Sequence, residues 1–172
     1  KELDGRGIRD VLLISSGFAE VGQAGESLQN EISRYCCAHD ILLMGPNCLG
    51  FINPSASAGV FAGVSVEGRV LPGGIGVIAQ SGAAREVMVS KLLKKSLGIS
   101  LYVTTGNEAV LTTEDCLEYL VHEEHTKVIT AFIEGFRAID RLKRIARKAA
   151  DNGVPIVLIK VGRSSKARQA AQ

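Results

Sequence analysis

Four short apolar runs recur between residues 76 and 162, and helix-like segments separate them. The runs read GVIAQ, ISLYVTT, KVITAFIEG and VPIVLIKVG, and the stretches between them place apolar residues three or four positions apart. Strands that are apolar on both faces are typical of parallel sheets, whose successive strands need a crossover that is usually a helix. The alternation therefore predicts the α/β class, with a parallel sheet that carries helices on both faces.

The segments between the runs carry signals for helix ends. A helix is predicted over 82–96, and a second helix begins near Thr112, because Thr112 and Asp115 have the spacing of a capping box. A third segment places Ile139, Ile145 and other apolar residues on one face, with basic residues opposite. These signals predict a helix after each of the first three runs.

The N-terminal part carries a shorter version of the same pattern. Apolar runs at 10–16 and 41–45 predict two strands, and the stretch between them predicts a helix. Residues 53–74 are rich in glycine, serine and alanine and contain two of the four prolines. This change in composition predicts a domain boundary or a crossing segment, so we expect one unit at 1–56 and a second at 57–172.

Composition and charge exclude several classes of function. The 172 residues carry a net charge of +2 without a basic stripe and interleaved aromatic residues, which argues against nucleic acid as a partner. No run of roughly 18 apolar residues is present, so no membrane partner is expected. Adjacent Cys36 and Cys37 are poor disulfide partners, and the four cysteines show no zinc-ligand spacing. We expect a cytoplasmic protein with no metal site of its own.

Small and polar residues follow each predicted strand at its carboxyl end. Right-handed crossovers place these ends along one edge of a parallel sheet, so functional groups should collect there. Gln80-Ser81-Gly82 passes directly into a predicted helix, whose unpaired N–H groups and dipole attract anions. A tight connection that binds nothing is the alternative. Glu134 ends a buried strand, so it either faces a donor group in a cleft or lies at an exposed strand end.

Six motifs resemble those of a known family. In chain order they are ISSGFAE (14–20), GPNCLGFINP (45–54), IAQSGA, TTGNEA, FIEGF and LIKVGRS. The chain resembles NDP-forming acyl-CoA synthetases, which include ADP-forming acetyl-CoA synthetases and the α-subunit of succinyl-CoA ligase. The resemblance covers essentially the whole chain. It implies the C-terminal part of a Rossmann-like CoA-binding domain at 1–56 and a flavodoxin-like ligase domain at 57–172.

The resemblance also implies a reaction and the residues that serve it. The family interconverts acyl-CoA, NDP and phosphate with acid, CoA and NTP through an acyl phosphate and a phosphohistidine. Ser81, Gly82 and Ala83 match the helix start that holds the phosphate, and Glu134 matches the glutamate that orients the phosphohistidine ring. The residues that match the lining of the CoA and active site are Ile14, Ser15, Ser16, Asn47, Cys48, Gly106 and Asn107.

Cofactors and partners follow from the same resemblance. It implies coenzyme A, acyl-CoA and phosphate as ligands, and ADP or ATP with Mg²⁺ bound through a separate ATP-grasp domain or subunit. An oligomeric parent protein is expected. None of His39, His122 and His125 fits the catalytic histidine, which is expected beyond Gln172, so the chain alone is expected to be inactive. Val110 stands where many members carry aspartate, which leaves the acyl substrate open.

Two functions of other classes remain open on the sequence alone. Relatives fused to an acetyltransferase keep this region as a regulatory module while another domain performs the chemistry. A non-catalytic interaction domain is the other alternative. An anion at Ser81 and Gly82 would count against the interaction domain, and the flanking sequence would separate the ligase from the regulatory module.

Overall fold

The helices and strands alternate along most of the chain. A computed structural model describes residues 1–62, 70–82 and 84–162, without the side chains of 84–87. The helices are α1 (Glu2–Gly5), α2 (Gln23–Ala38), α3 (Ala84–Lys94), α4 (Thr113–His122) and α5 (Ile139–Asp151), and a short 3-10 helix spans Ala19–Val21. The strands are β1 (Asp10–Leu12), β2 (Leu42–Met44), β3 (Gly50–Asn53), β4 (Ala58–Phe61), β5 (Pro72–Ala79), β6 (Ile99–Thr104), β7 (Val128–Ile133) and β8 (Ile156–Lys160).

A six-stranded sheet forms the larger part of the fold, in the order β4-β3-β6-β5-β7-β8. Strand β5 is central and pairs in parallel with β6 and β7, and β7 pairs in parallel with β8. A second, two-stranded parallel sheet pairs β1 with β2 and packs against α2 through Leu43, Cys36 and Ile32. The α/β class and the parallel central sheet are confirmed.

An antiparallel hairpin departs from the predicted pattern. Strand β4 lies inside the segment predicted as a boundary or crossing, and it pairs with β3, which in turn pairs antiparallel with β6. The turn between β3 and β4 is tight because Asn53 Oδ1 accepts a hydrogen bond from the Ala56 N–H at 3.0 Å. Strand β3 thus belongs to the six-stranded sheet, while the division of the chain at 56/57 stays a prediction.

Helices cover both faces of the sheet, as expected. Val77 and Ile78 in β5 are fully buried and point to opposite faces. Val77 packs in a cluster with Val89 of α3, whereas Ile78 packs in a cluster with Leu120 of α4 and Ile145 of α5. The central strand is therefore apolar on both faces because each face meets a helix layer.

The predicted start of α4 is confirmed in detail. The Thr112 side chain accepts a hydrogen bond from the Asp115 N–H, and the Asp115 carboxylate accepts one from the Thr112 N–H, which completes a capping box. Burial raises the pKa of the Asp115 carboxyl, but hydrogen bonds from Thr112 and Arg141 outweigh that effect and hold the pKa below its ordinary value. The polar spacing read from the sequence thus fixes where this helix begins.

Strand β8 is more exposed than a strand of a covered parallel sheet. The expectation that the apolar runs are buried on both faces is wrong for this strand in the described part of the chain. Val157, Leu158 and Ile159 are exposed by 54%, 40% and 48%. Strand β8 ends the strand order next to β7 and has a neighbouring strand on one side only.

We expect Leu120→Ala to reduce the stability of the fold strongly. Leu120 is fully buried between α4 and the sheet, and a Leu→Ala change in a core costs about 2–5 kcal/mol of unfolding free energy. Chemical denaturation followed by circular dichroism measures the loss. Tyr119→Ala, at a neighbouring residue that is 53% exposed, is the control and should change stability by only about 0.5 kcal/mol. Equal losses in the two variants would contradict this packing.

Candidate functional site

One open cavity of about 1350 Å³ lies at the carboxyl edge of the central strands. Most of the residues singled out from the sequence line it: Ile14, Ser16, Asn47, Cys48, Ser81, Gly82, Gly106, Asn107 and Glu134. Ser15 is not among the lining residues, although its carbonyl accepts the Asn47 N–H at 3.0 Å and so holds the neighbouring turn. Ala83 lies outside the described residues. The sheet edge thus gathers these side chains as the crossover argument predicts.

The turn at residues 45–48 is held by two other segments. Asn47 donates its N–H to Ser15, while the Pro46 carbonyl accepts the Asn107 N–H at 2.9 Å. The approach to Gly106 is so close that an added Cβ would lie 2.2 Å from the Pro46 carbonyl oxygen, and Gly106 also has a φ of +63°. Only glycine fits there without strain. The close approach fixes the turn against the β6–α4 loop.

Cys48 lies in this turn as a buried side chain. Its sulfur lies 3.6 Å from the Leu13 carbonyl oxygen, and burial raises the pKa of the thiol. A thiol with a raised pKa carries little thiolate and is a poor nucleophile. The geometry fits a lining role better than covalent chemistry.

Asn107 links the β6–α4 loop to the N-terminal segment. Its Nδ2 donates hydrogen bonds to the Glu20 carboxylate and to Gln29 Oε1, the latter at 3.0 Å, and its Oδ1 accepts one from Asn47 Nδ2 at 3.2 Å. Burial raises the pKa of Glu20, but hydrogen bonds from Asn107 and from the Gly17 N–H bring it below its ordinary value. Glu20 therefore works as an acceptor that ties the two parts together.

Sequence reasoning missed Glu20 as a site residue. It lies in the ISSGFAE motif, yet its partner Asn107 is 87 residues away. Local sequence carries no signal for such a pairing.

Glu108 is the most deeply placed carboxylate in the site, and sequence reasoning missed it. Its side chain is 3% exposed. Its Oε1 accepts hydrogen bonds from Thr105 Oγ1 at 2.8 Å, from the Thr113 N–H at 3.1 Å and from Thr113 Oγ1 at 2.5 Å. The signal that singled out Glu134, a carboxylate soon after a buried strand, applies to Glu108 as well.

Gln80 connects Glu108 to the loop that carries Glu134. Its Nε2 donates to Glu108 Oε1 at 2.9 Å and to the Gly135 carbonyl at 2.8 Å. Its Oε1 accepts the N–H groups of Glu134 and Gly135 at 2.5 and 2.9 Å. The ends of β5, β6 and β7 are thus joined through one amide side chain.

Glu134 has its main chain fixed and its side chain partly accessible. The residue is half-buried and lines the cavity, and its carbonyl accepts a hydrogen bond from Lys160 Nζ at 2.6 Å. A fixed, accessible carboxylate at the edge of a cleft can accept a proton or orient an imidazole.

The segment just before α3 lines the same cavity. Ser81 and Gly82 line it, and α3 begins at Ala84. The first N–H groups of a helix have no partner within the helix and carry roughly half a positive charge. This end of the cavity has the chemistry to hold an anion.

Carboxylates outnumber cations in the described lining. Glu20, Glu26, Glu108 and Glu134 line the cavity, and Arg137 is the one lysine or arginine among the lining residues described. The Arg137 guanidinium is 59% exposed, donates to the Asn107 carbonyl at 2.9 Å and lies 3.9 Å from Glu108. An anion in the cleft therefore depends on the α3 end and Arg137 for favourable charge.

The described residues offer no metal cluster near this cleft. No group of three or more His, Cys, Asp or Glu side chains in residues 1–62, 70–82 and 84–162 is placed to hold a metal ion. The three histidines, His39, His122 and His125, all lie in the described part, and none of them lines the cavity. Among the described helices, none has both the length and the apolar character needed to span a bilayer.

Comparison with known proteins agrees with the fold and the motifs. A family model described as succinyl-CoA ligase like flavodoxin domain matches residues 72–172. A trans-feruloyl-CoA synthase from an unidentified prokaryote is 34% identical over 99% of this chain. The α-subunit of acetate–CoA ligase [ADP-forming] II from Pyrococcus furiosus is 31% identical over 96% of this chain.

Solved structures of similar proteins have the same fold as this chain. An acetyl-coenzyme A synthetase from Ca. Korarchaeum cryptofilum, in complex with phosphate and ADP, superposes with a TM-score of 0.87 at 30% identity and covers 98% of this chain. The chain spans 24%, 35% and 36% of the length of these three relatives. Because the family model covers more than half of the chain, the chain belongs to the family of succinyl-CoA ligase-like flavodoxin domains.

Proposed function

We propose that this chain is part of an NDP-forming acyl-CoA synthetase. The observation that carries the proposal is that Ser81 and Gly82, which lie just before α3, and Glu134 line one cavity. An anion site and an orienting carboxylate in one cleft are what phosphate activation through a histidine needs. The names of the relatives, an acyl-CoA synthase and ADP-forming acetate–CoA ligases, support the assignment.

The proposed reaction runs in three phosphate-dependent steps. A phosphate oxygen attacks the thioester carbon, the C–S bond breaks, and CoA leaves as its thiol form with an acyl phosphate as product. A histidine nitrogen then takes the phosphoryl group, and the carboxylic acid leaves. An NDP oxygen finally takes the phosphoryl group from the histidine to give NTP. The first two steps keep the phosphate at one place while its partner changes, so one rigid anion site serves both, and the third step takes place at the nucleotide site.

The residues of this chain have distinct roles in that proposal. The N–H groups at Ser81, Gly82 and Ala83 hold the phosphate, and Arg137 adds positive charge. Glu134 accepts the N–H of one imidazole nitrogen, which orients the other nitrogen towards phosphorus. The residues proposed to line the CoA and thioester site remain Ile14, Ser15, Ser16, Asn47, Cys48, Gly106 and Asn107.

The cavity is proposed to hold part of coenzyme A. The cavity of about 1350 Å³ is larger than most small-molecule sites, and its lining is dominated by small and polar side chains. From the family resemblance, ADP, ATP and Mg²⁺ are assigned to an ATP-grasp domain or subunit. The Pyrococcus relative is named as one subunit of its ligase, which supports such a division of labour.

The histidine is proposed to come from outside the cavity lining described here, since His39, His122 and His125 do not reach it. Residues 1–56 would then be the end of the CoA-binding domain and 57–172 the ligase domain. We place the complete enzyme in the cytoplasm as an oligomer. No observation on the described residues favours the regulatory or interaction alternatives.

An activity assay on the complete polypeptide that carries these residues, with its nucleotide-binding partner, tests the proposal. Acetyl-CoA or feruloyl-CoA is supplied with phosphate and ADP, ATP is followed with luciferase, and free thiol is followed colorimetrically. We expect ATP and CoA in equal amounts, and both must depend on phosphate. Acyl transfer to protein lysines without any need for phosphate would contradict the proposal and favour the acetyltransferase-linked module.

We expect Glu134→Gln to slow formation of the phosphohistidine about 100-fold, because the neutral amide no longer stabilises the imidazole that carries the phosphoryl group. Labelling of the complete enzyme from γ-³²P-ATP measures the rate. The melting temperature should stay nearly unchanged, since the Glu134 side chain lies at the cavity rather than in the core.

Glu26→Gln is the matched control for that variant. Glu26 is an exposed glutamate that lines the same cavity, and the proposal gives it no role. Labelling at the normal rate in Glu134→Gln, or an equal defect in both variants, would remove Glu134 from the mechanism.

We expect Gly82→Asp to raise the KM for phosphate about tenfold or more, because a carboxylate at the α3 end competes with the anion for the same N–H groups. An added Cβ at Gly82 would lie 3.2 Å from Leu49 Cδ1, so only a side-chain end has to shift. Initial rates at varied phosphate concentration measure the effect.

Gly5→Asp adds the same charge outside the cavity, where an added Cβ meets nothing within 4 Å. It should leave the KM for phosphate unchanged. If Gly82→Asp keeps the normal KM, the anion does not bind at this helix end.

A further inference from the structure

The Gln80 side chain uses its whole hydrogen-bonding capacity inside the site. A glutamine amide offers two N–H donors and an oxygen with two lone pairs. Here the oxygen accepts the N–H groups of Glu134 and Gly135, and the NH₂ group donates to the Gly135 carbonyl and to Glu108. Exchanging the oxygen and nitrogen of the amide would oppose donor to donor at two contacts. The orientation of the amide is therefore fixed by its partners.

Glu108 fixes the far side of that amide. The same carboxylate oxygen that accepts from Gln80 also accepts from Thr105 and from Thr113, which opens α4. Because the Glu108 side chain is 3% exposed, losing any of these bonds would leave a buried polar group without compensation. Glu108 is thus held by the β6–α4 loop and in turn holds Gln80.

The hydrogen bonds of Gln80 hold the main chain at Glu134. Its N–H and the next N–H in the chain both point to Gln80 Oε1, at 2.5 and 2.9 Å. The peptide plane between Glu134 and Gly135 carries the Gly135 N–H and the Glu134 carbonyl, so it cannot turn without breaking the bond to Gln80 Oε1 or the bond from Lys160 Nζ. The base of the Glu134 side chain is therefore set by a residue 54 positions earlier in the chain.

We infer that Gln80 is a positioning residue, which acts through Glu134, for the phosphoryl-transfer step. The inference rests on the proposed function, and it adds a residue to which neither the sequence nor the comparisons give a role. In this role Gln80 acts through its bonds to the main chain and not on a reacting atom. It holds the Glu134 main chain where the carboxylate can orient the imidazole, and Glu108 holds Gln80. Orientation of this kind matters because small displacements of a catalytic group cost large factors in rate.

A double-mutant cycle on the complete enzyme separates this role from general stability. Gln80→Leu removes all four hydrogen bonds at similar volume. We expect it to slow phosphohistidine labelling from γ-³²P-ATP about tenfold or more, with the KM for acyl-CoA changed less than about threefold. In the Glu134→Gln background, the same Gln80→Leu change should alter the rate less than about twofold, since its target is already gone.

Thr126→Val is the matched control. Thr126 is 2% exposed, and its hydroxyl bonds Glu123 at 2.6 Å and Ser100 at 2.7 Å, outside the cavity. It removes buried hydrogen bonds as Gln80→Leu does, but it should leave the labelling rate unchanged while it lowers the melting temperature. If Gln80→Leu fails to fold, Glu108→Gln takes its place in the cycle, with the same expected dependence on Glu134.

Hydrogen–deuterium exchange gives a readout that needs no activity. In the wild type, the amides of Glu134 and Gly135 should exchange slowly, and Gln80→Leu should speed their exchange about tenfold or more while Ile129 in β7 stays protected. Mass spectrometry of peptides that cover residues 128–138 measures both sites in one experiment.

The outcomes distinguish the positioning role of Gln80 from the proposed function on which it rests. Normal labelling in Gln80→Leu, or a defect of the same size with and without Glu134, overturns the positioning role and leaves the proposed function intact. A wild-type enzyme that is never labelled by ATP, with both amides protected from exchange, overturns the proposed function and the positioning role with it. Faster exchange together with a defect that depends on Glu134 supports both.

Discussion

Parallel pairing on both edges of β5 is the constraint on which the site depends. Because β5 lies between β6 and β7 and all three strands run in the same direction, their carboxyl ends must meet at one edge. Gln80, the first residue after β5, is then flanked by the loops that follow β6 and β7. Its side chain therefore lies within hydrogen-bond distance of Glu108 on one side and of Gly135 on the other. Burial of the strand on both faces makes this placement rigid, since a slip by one residue would turn Val77 and Ile78 to the wrong layers.

The carboxylates that line the cleft repel an anion less strongly than their number suggests. Glu108 already accepts hydrogen bonds from Gln80, Thr105 and Thr113, and Glu20 accepts them from Asn107, Gly17 and Phe18. Donors directed at both oxygens of Glu20 and at Oε1 of Glu108 reduce the field that these carboxylates exert on a ligand. Glu134 and Glu26 also line the cavity, together with Arg137 and the residues just before α3. The phosphate is proposed to bind at that helix end, where the helix dipole favours an anion.

Sequence patterns predicted the elements that depend on residues close together in the sequence. They missed the features that depend on contacts between distant residues. The apolar runs gave β5, β6 and β7, and the Thr112–Asp115 spacing gave the start of α4, because strand periodicity and helix caps are local properties. The β3–β4 hairpin was missed, since its place in the sheet depends on Phe51 pairing with Val103, which lies 52 residues later. The role of Gln80 was missed for the same reason, whereas Glu108 carried the same local signal as Glu134. A glutamine after a strand looks like any loop residue until the strands on both sides are known.

The β6–α4 loop carries two neighbouring side chains whose hydrogen-bond partners lie in different parts of the fold. Asn107 bonds Glu20 in the N-terminal segment, whereas Glu108 bonds Gln80 at the centre of the sheet. Positive φ angles at Gly106 and Glu108, +63° and +57°, turn the chain so that consecutive side chains leave it in different directions. A left-handed conformation at a glutamate is uncommon and persists only where the surrounding bonds hold it, as the threonine donors and Gln80 do here. Asn107 and Glu108 therefore tie the N-terminal segment and Gln80 to one loop. Through the peptide bond between these two residues and the hydrogen bonds of Gln80, the segment proposed to bind CoA is linked to the main chain of Glu134.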